Sequence, residues 1–284
     1  MVKTRRTEHA CAIRGRSGLP VVFLHGLSAN RLCFQFLEAA LHENLTCRTL
    51  TYDLRGRGKS AKPTGDYSPL VHAQDLHELL RAKPLSRFGQ AKPVLIAHSL
   101  GAYAALHFAA MHPNALRGLV LLDGGGPLNR TEAVRIYALL RMSFIRLGRR
   151  FPSEESYLNI VRKSPLVRKY TPELDRMLRY DMVTDSKGTG LDLPVHVIES
   201  ELSSAGGSLS ILKSLKGLSR FGFAEPDYGA IRCPVLIVRA SKRNLFPGDS
   251  VLSERSMRKL QSLIHARAIE VPANHYSILL ENQP

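Results

Sequence analysis

Apolar residues along this chain fall into short runs separated by longer amphipathic segments. The runs Leu19–Leu24, Arg48–Tyr52, Pro93–Ala97, Leu119–Leu122, Pro234–Val238 and Ala268–Val271 meet Gly, Asp, Ser or Pro within a few residues, the punctuation with which strands hand over to loops. Between the first four lie the helix-length segments Cys33–His42, Leu70–Leu80 and Leu100–His112. Strands that are apolar throughout, alternating with helices, predict an α/β protein with a mostly parallel sheet covered on both faces. The rhythm breaks from Pro127 to about Tyr228, where Glu132–Leu147, Ser153–Arg162 and Pro172–Val183 carry helical patterns and no strand is expected. The reading is a core of residues 1–126 and 229–284, interrupted by a helical cap over 127–228, with Gly206-Gly207 as a joint.

Length and composition narrow the classes without choosing a function. At 284 residues, with 44% hydrophobic and 23% charged positions, the chain is neither disordered, collagenous nor a coiled coil. No apolar run approaches the roughly 18 residues of a membrane helix, and no apolar stretch follows the basic start Met1–Arg6, so no signal peptide is expected. Cys11, Cys33, Cys47 and Cys233 form no CxxC pair, which fits free thiols in a reducing, cytoplasmic setting. The net charge of +16 raises nucleic acid as a partner. The basic residues are spread along the chain, however, and the densest stretch, Arg135–Arg179 with eleven Lys/Arg and four Asp/Glu, contains no recognisable binding motif. A solvated basic face is expected, with no nucleic-acid partner. Arginines in the cap would favour an anionic substrate.

The chemistry concentrates at Val94-Leu95-Ile96-Ala97-His98-Ser99-Leu100-Gly101-Ala102. An apolar strand stops at a serine, and a helix rich in small residues starts at once. So sharp a turn needs small residues at 97 and 101, and it lifts Ser99 to a helix N-terminus, where negative charge is favoured. The pattern is the nucleophile elbow G-x-S-x-G, with Ala97 replacing the first glycine; otherwise Ser99 merely caps the helix. His25-Gly26-Leu27 follows the first core strand, where the N–H of Leu27, with that of Leu100, could hold an oxyanion. Val271-Pro272-Ala273-Asn274-His275-Tyr276 follows the last strand and puts His275 at the same sheet edge as Ser99. The side chain of His98 is expected on the opposite side of its strand.

These three elements, together with Asp53-Leu54-Arg55-Gly56-Arg57-Gly58-Lys59-Ser60 as the family's turn after its second core strand, resemble the α/β-hydrolase superfamily in their order over nearly the whole chain. The resemblance implies an α/β-hydrolase fold, Ser99 as nucleophile and His275 as general base. Its acid usually follows the strand Pro234–Val238, where this chain has Asn244. Some members carry it one strand earlier, at the position of Asp123. Asp123 is the expected acid; the alternative is that it only satisfies a turn and that Asn244 or Asp249 holds His275. A serine at the elbow argues against the dehalogenase and epoxide-hydrolase branches. The Arg55–Ser60 turn is no phosphate loop, because the required glycine is Asp53. His72 with His77, and His107 with His112, lack metal-site spacing and are expected to be surface or interfacial; no metal or other cofactor is expected.

The expected activity is hydrolysis of a carboxylic ester or related acyl compound through an acyl-enzyme on Ser99. Two alternatives remain: a noncatalytic ligand-binding protein on the same fold, or an acyltransferase or cofactor-free perhydrolase using the same triad. Met142, Phe144, Ile145, Tyr157, Phe221 and Phe223 would line an acyl pocket or form the cap's own core. Either the final helix expected after the histidine loop is reduced to Tyr276–Glu281 or the polypeptide is shortened; a missing helix would expose apolar sheet surface and invite a homodimer or instability.

Overall fold

The computed structural model of the chain describes residues 1–129, 131–136, 140, 147–164, 167, 169–205, 223–242 and 250–281. Its strands in chain order are β1 (Val2–Lys3), β2 (Glu8–His9), β3 (Cys11–Arg14), β4 (Leu19–Leu24), β5 (Cys47–Tyr52), β6 (Val94–His98), β7 (Gly118–Leu122), β8 (Met182–Asp185), β9 (Gly188–Leu191), β10 (Val235–Ala240) and β11 (Arg267–Val271). Seven of them form one sheet in the order β11-β10-β7-β6-β4-β5-β3. All neighbours run parallel except β3, which pairs antiparallel with β5 from Cys11↔Tyr52 to Arg14↔Thr49. The six core strands read from the sequence are all present, displaced by no more than two residues at an end.

Alternation along these strands divides the core. Val22, Leu24, Leu50, Tyr52, Leu95, Ala97, Leu119 and Leu121 face one side, where they pack on α2 (Pro69–Arg81) and α4 (Leu100–Met111). Val21, Phe23, Ile96 and Leu122 face the other and meet Phe34, Leu174, Met177 and Leu279. Both faces are therefore dry, as parallel sheets require. The small residues Ala102, Ala104, Ala105 and Ala109 of α4 are buried, which lets this helix lie close to the strand that delivers Ser99.

The long interruption carries the helices α5 (Glu154–Arg162), α6 (Pro172–Tyr180) and α7 (Val195–Ser204), where α1 is Gln35–Asn44 and α3 is Ser86–Gln90. Ser153 and Thr171 cap α5 and α6 with their hydroxyls. Contrary to the sequence reading, this region also contains strands: β8 and β9 form an antiparallel hairpin from Met182↔Leu191 to Asp185↔Gly188. Its turn is closed by Asp185, whose carboxylate accepts the Lys187 N–H at 2.8 Å, and by Gly188 at φ 114°. Four-residue strands with one short alternation give little periodic signal, and turn chemistry decides them. Gly206-Gly207 lies outside the described residues.

The basic stretch is laced by local ion pairs: Arg179 with Glu154, Glu155 and Asp175, Arg162 with Glu155, Arg176 with Glu173, and Arg150 with Asp185. These arginines are matched by acids, which weakens their case as attractants for an anionic substrate. The four cysteines are free. Among the described residues no helix is long and apolar enough to cross a membrane. The chain's last helix, α9, is the single turn Ser277–Leu280, and it still buries Leu279 against the sheet; α8 is Glu254–Ile264.

Candidate active site

Ser99 sits where β6 gives way to α4, at φ 55° and ψ −117°. Few non-glycine residues hold such a backbone, and the strain persists because the surroundings enforce it. Gly101 is one cause: a Cβ there would lie 2.4 Å from the Leu24 carbonyl oxygen. Gly124 is another, since its Cβ would press on the Ser99 backbone at 2.6–2.9 Å. The Ser99 hydroxyl makes no capping bond to the helix. It instead lies 3.1 Å from His275 Nε2.

His275 is held from its other nitrogen. Its Nδ1–H donates to Asp123 Oδ2 at 2.7 Å, while Asp123 Oδ1 accepts the Ala240 N–H at 3.1 Å. Asp123, buried at the end of β7 with φ 44°, is thus fixed by the adjacent strand β10. Ser99, His275 and Asp123 form one hydrogen-bonded chain; Asn244 and Asp249 lie outside the described residues.

Two other histidines brace this arrangement. His98 Nε2–H donates to the His275 carbonyl at 3.0 Å, and the two rings sit 4.5 Å apart. Its side chain therefore faces the His275 loop, contrary to the sequence expectation. The reason is the positive φ of Ser99, which ends strand alternation so that residues 98 and 99 no longer point to opposite sides. Burial holds His98 well below the usual imidazole range, so a neutral ring lies beside His275. His25 Nδ1–H donates to the Gly26 carbonyl at 2.8 Å and Nε2 accepts the Leu54 N–H at 3.0 Å; burial pushes His25 down to about 3. The backbone N–H groups of Leu27 and Leu100 have no acceptor among the described residues.

A model of the alpha/beta hydrolase family matches residues 21–284. The chain belongs to this family. Over 236 residues it is 29% identical to the proposed carbamate hydrolase RutD of Klebsiella pneumoniae, a match covering 82% of this chain and 77% of that one. It is 28% identical over 168 residues to an uncharacterized protein of Mycobacterium tuberculosis, covering 57% of this chain and 47% of the other; the chain thus spans about half the length of that relative. Among solved structures, E-2-(acetamidomethylene)succinate hydrolase superposes with a TM-score of 0.74 at 22% identity, over 99% of this chain and 94% of that one.

In this α/β hydrolase, Ser99 and His275 open onto a cavity whose wall includes Leu140, Leu147, Tyr157, Val161, Leu174, Leu178 and Leu279. Tyr157 thus lines the cavity, whereas Phe223 packs on Tyr103 at 5.0 Å; Met142, Phe144, Ile145 and Phe221 lie outside the described residues. Arg57, buried in the wall, donates from Nε to the Leu27 carbonyl at 2.6 Å and pairs with Glu201 of α7. Glu201 Oε1 is 3.4 Å from His72 Nε2. His72 is completely buried and His107 nearly so, which excludes the surface half of the expectation that they are surface or interfacial. His77 and His112, half-buried, stack on each other at 4.0 Å. Among the described residues no group of three or more His, Cys, Asp or Glu is placed to hold a metal ion.

Sequence reading overlooked Asp181, which follows α6 and lines the cavity. Burial pushes its carboxyl up to about 7; the Asn30 hydrogen bond opposes the rise, Asp53 adds to it, and Arg57 and Lys59 also oppose it. The folded state therefore keeps a proton that the unfolded chain releases near pH 3.8, so stability declines as pH rises from about 4 to about 7 and the full penalty stands above that. Asp181→Asn should remove this penalty. Its gain in Tm over wild type, measured by thermal unfolding, is expected to be at least about 3 °C larger at pH 8 than at pH 4. An equal effect at both pH values would refute the buried-charge account.

Proposed function

We propose that this hydrolase cleaves carboxylic esters or related acyl compounds through an acyl-enzyme on Ser99. The observation that carries the reading is the continuous chain Ser99–His275–Asp123, at 3.1 and 2.7 Å. His275 takes the Ser99 proton as the oxygen attacks the carbonyl, and Asp123 stabilises the imidazolium and fixes its tautomer. The N–H groups of Leu27 and Leu100 receive the oxyanion. His275 then returns its proton to the leaving alcohol and activates water for deacylation. Residues 127–228 act as a cap whose side chains select the acyl group.

The binding-protein alternative drew its support from Asn244 as the partner of His275; the hydrogen bond between His275 Nδ1 and Asp123 supports the hydrolase reading instead. The test is rapid mixing with p-nitrophenyl esters of two to eight carbons, followed by intact-protein mass spectrometry. The reading expects a burst of nitrophenol and an acyl mass on Ser99. Ligand binding with neither burst nor adduct would reject it. Acylation whose turnover is accelerated mainly by added alcohol, thiol or peroxide would replace hydrolysis by acyl transfer.

A further inference from the structure

The cavity beside Ser99 has a largely aliphatic wall into which a few ionisable side chains are set, Arg57, Lys169, Asp192, Glu281 and Asp181 among them. For Asp181, the surroundings are as follows. Asp181 Oδ2 accepts a hydrogen bond from Asn30 Nδ2 at 2.8 Å. Asn30 is itself locked: its amide also donates to the Met177 carbonyl at 2.9 Å, and its Oδ1 accepts the Leu32 N–H at 3.0 Å. The orientation of the carboxyl is thus set from outside the cavity. Oδ1, by contrast, is buried and has no hydrogen-bond partner among the described residues.

Three nearby cations are already engaged. Arg57 binds Glu201 and the Leu27 carbonyl, Lys62 binds Asp192, and the Lys59 ammonium sits over the Tyr180 ring at 5.4 Å. Holding Asn30 requires only Oδ2. A second acceptor left unpaired in an apolar wall carries a desolvation penalty with no structural return, and a ligand donor is what would relieve it. Buried polar groups of this kind discriminate strongly, because an analogue lacking the matching group leaves them unpaired.

We propose that Asp181 is a specificity-determining acceptor that selects acyl groups bearing a hydroxyl or amide N–H donor over purely aliphatic ones. This rests on the reading of Ser99 as the nucleophile of an acyl-enzyme. The donor would bind Oδ1 while the acyl carbonyl lies at Ser99, which makes the natural substrate an ester of a functionalised acid rather than of a simple fatty acid.

The substitution Asp181→Asn has a definite consequence. The Asn30 amide must keep an acceptor opposite it, so the new side chain turns its oxygen to Asn30 and presents an NH2 group where Oδ1 stood. The preference for donors should then disappear.

The experiment compares p-nitrophenyl ω-hydroxyalkanoates with alkanoates in which the terminal hydroxyl is replaced by methyl, across three to eight carbons at pH 8. In wild type, kcat/KM for the hydroxy ester should exceed that for its methyl counterpart by about tenfold or more at one chain length, and in Asp181→Asn the ratio should fall to about one. A wild-type ratio near one at every length overturns the proposal without recourse to any variant. So does a ratio that survives the substitution. In either case, acyl adducts on Ser99 would leave the hydrolase reading intact. Absence of an adduct with every ester would instead overturn both.

Discussion

Ser99→Ala is expected to lower kcat about a millionfold, to the residual rate that substrate binding and oxyanion contacts sustain without a nucleophile. The fold should be indifferent to the change. The Ser99 hydroxyl caps no helix and its hydrogen-bond partner is His275, so its removal leaves no buried backbone donor unpaired. Alanine tolerates the φ of 55° no worse than serine does. Ester turnover and thermal unfolding on the same preparation make the test: activity should vanish while Tm moves by no more than a degree or two. Retention of more than about 1% of wild-type kcat would remove Ser99 from the chemistry.

Asp123→Asn should cost about 10⁴-fold in kcat for a reason visible in the geometry. The Ala240 N–H donates to Asp123 Oδ1. In the amide variant that N–H would claim the oxygen, leaving NH2 facing His275 Nδ1. The imidazole would then have to accept at Nδ1 and carry its proton on Nε2, facing Ser99. In that tautomer it cannot take the serine proton. The defect should appear in kcat far more than in KM, and it should ease at high pH, where serine ionisation needs less help. Kinetics on matched esters test this. A loss under about tenfold would remove Asp123 as the acid and make Asn244 and Asp249 the next positions to test.

The parts of the site that sequence made visible are those whose chemistry depends on neighbours in the chain. The elbow is recognisable because a tight strand-to-helix turn demands small residues beside Ser99, and the contact of Gly101 with the Leu24 carbonyl is that demand in atomic form. His275 and Asp123 each follow an apolar run at a strand's end, so order along the chain sufficed to nominate the two residues that the fold brings within hydrogen-bonding distance. The core strands were legible for the same reason: a strand buried on both faces writes an uninterrupted apolar word.

What stayed hidden depends on distance in sequence. Asp181 meets Asn30 across 151 positions, and Arg57 meets Glu201 across 144. No local pattern distinguishes such an aspartate, at the end of an amphipathic helix, from the solvated acids that ordinarily sit there. The hairpin Met182–Leu191 was hidden for the opposite reason, being too short for its alternation to compete with the helical pattern before it. His98 was misplaced because alternation was extended one residue beyond the point where the backbone abandons it.

The histidine loop has a consequence for how this enzyme would fail. Ser99 and Asp123 leave the sheet from interior strands, whereas His275 follows β11, which lies at the sheet's edge, is largely exposed and, among the described residues, pairs only with β10. Edge elements are the first to open in partial unfolding. The His98 hydrogen bond to the His275 carbonyl is then a tether from the centre of the sheet to its margin. Under heat or denaturant, catalysis should report the fraying of that margin, and it would fade while amides in β4 and β6 still resist hydrogen exchange.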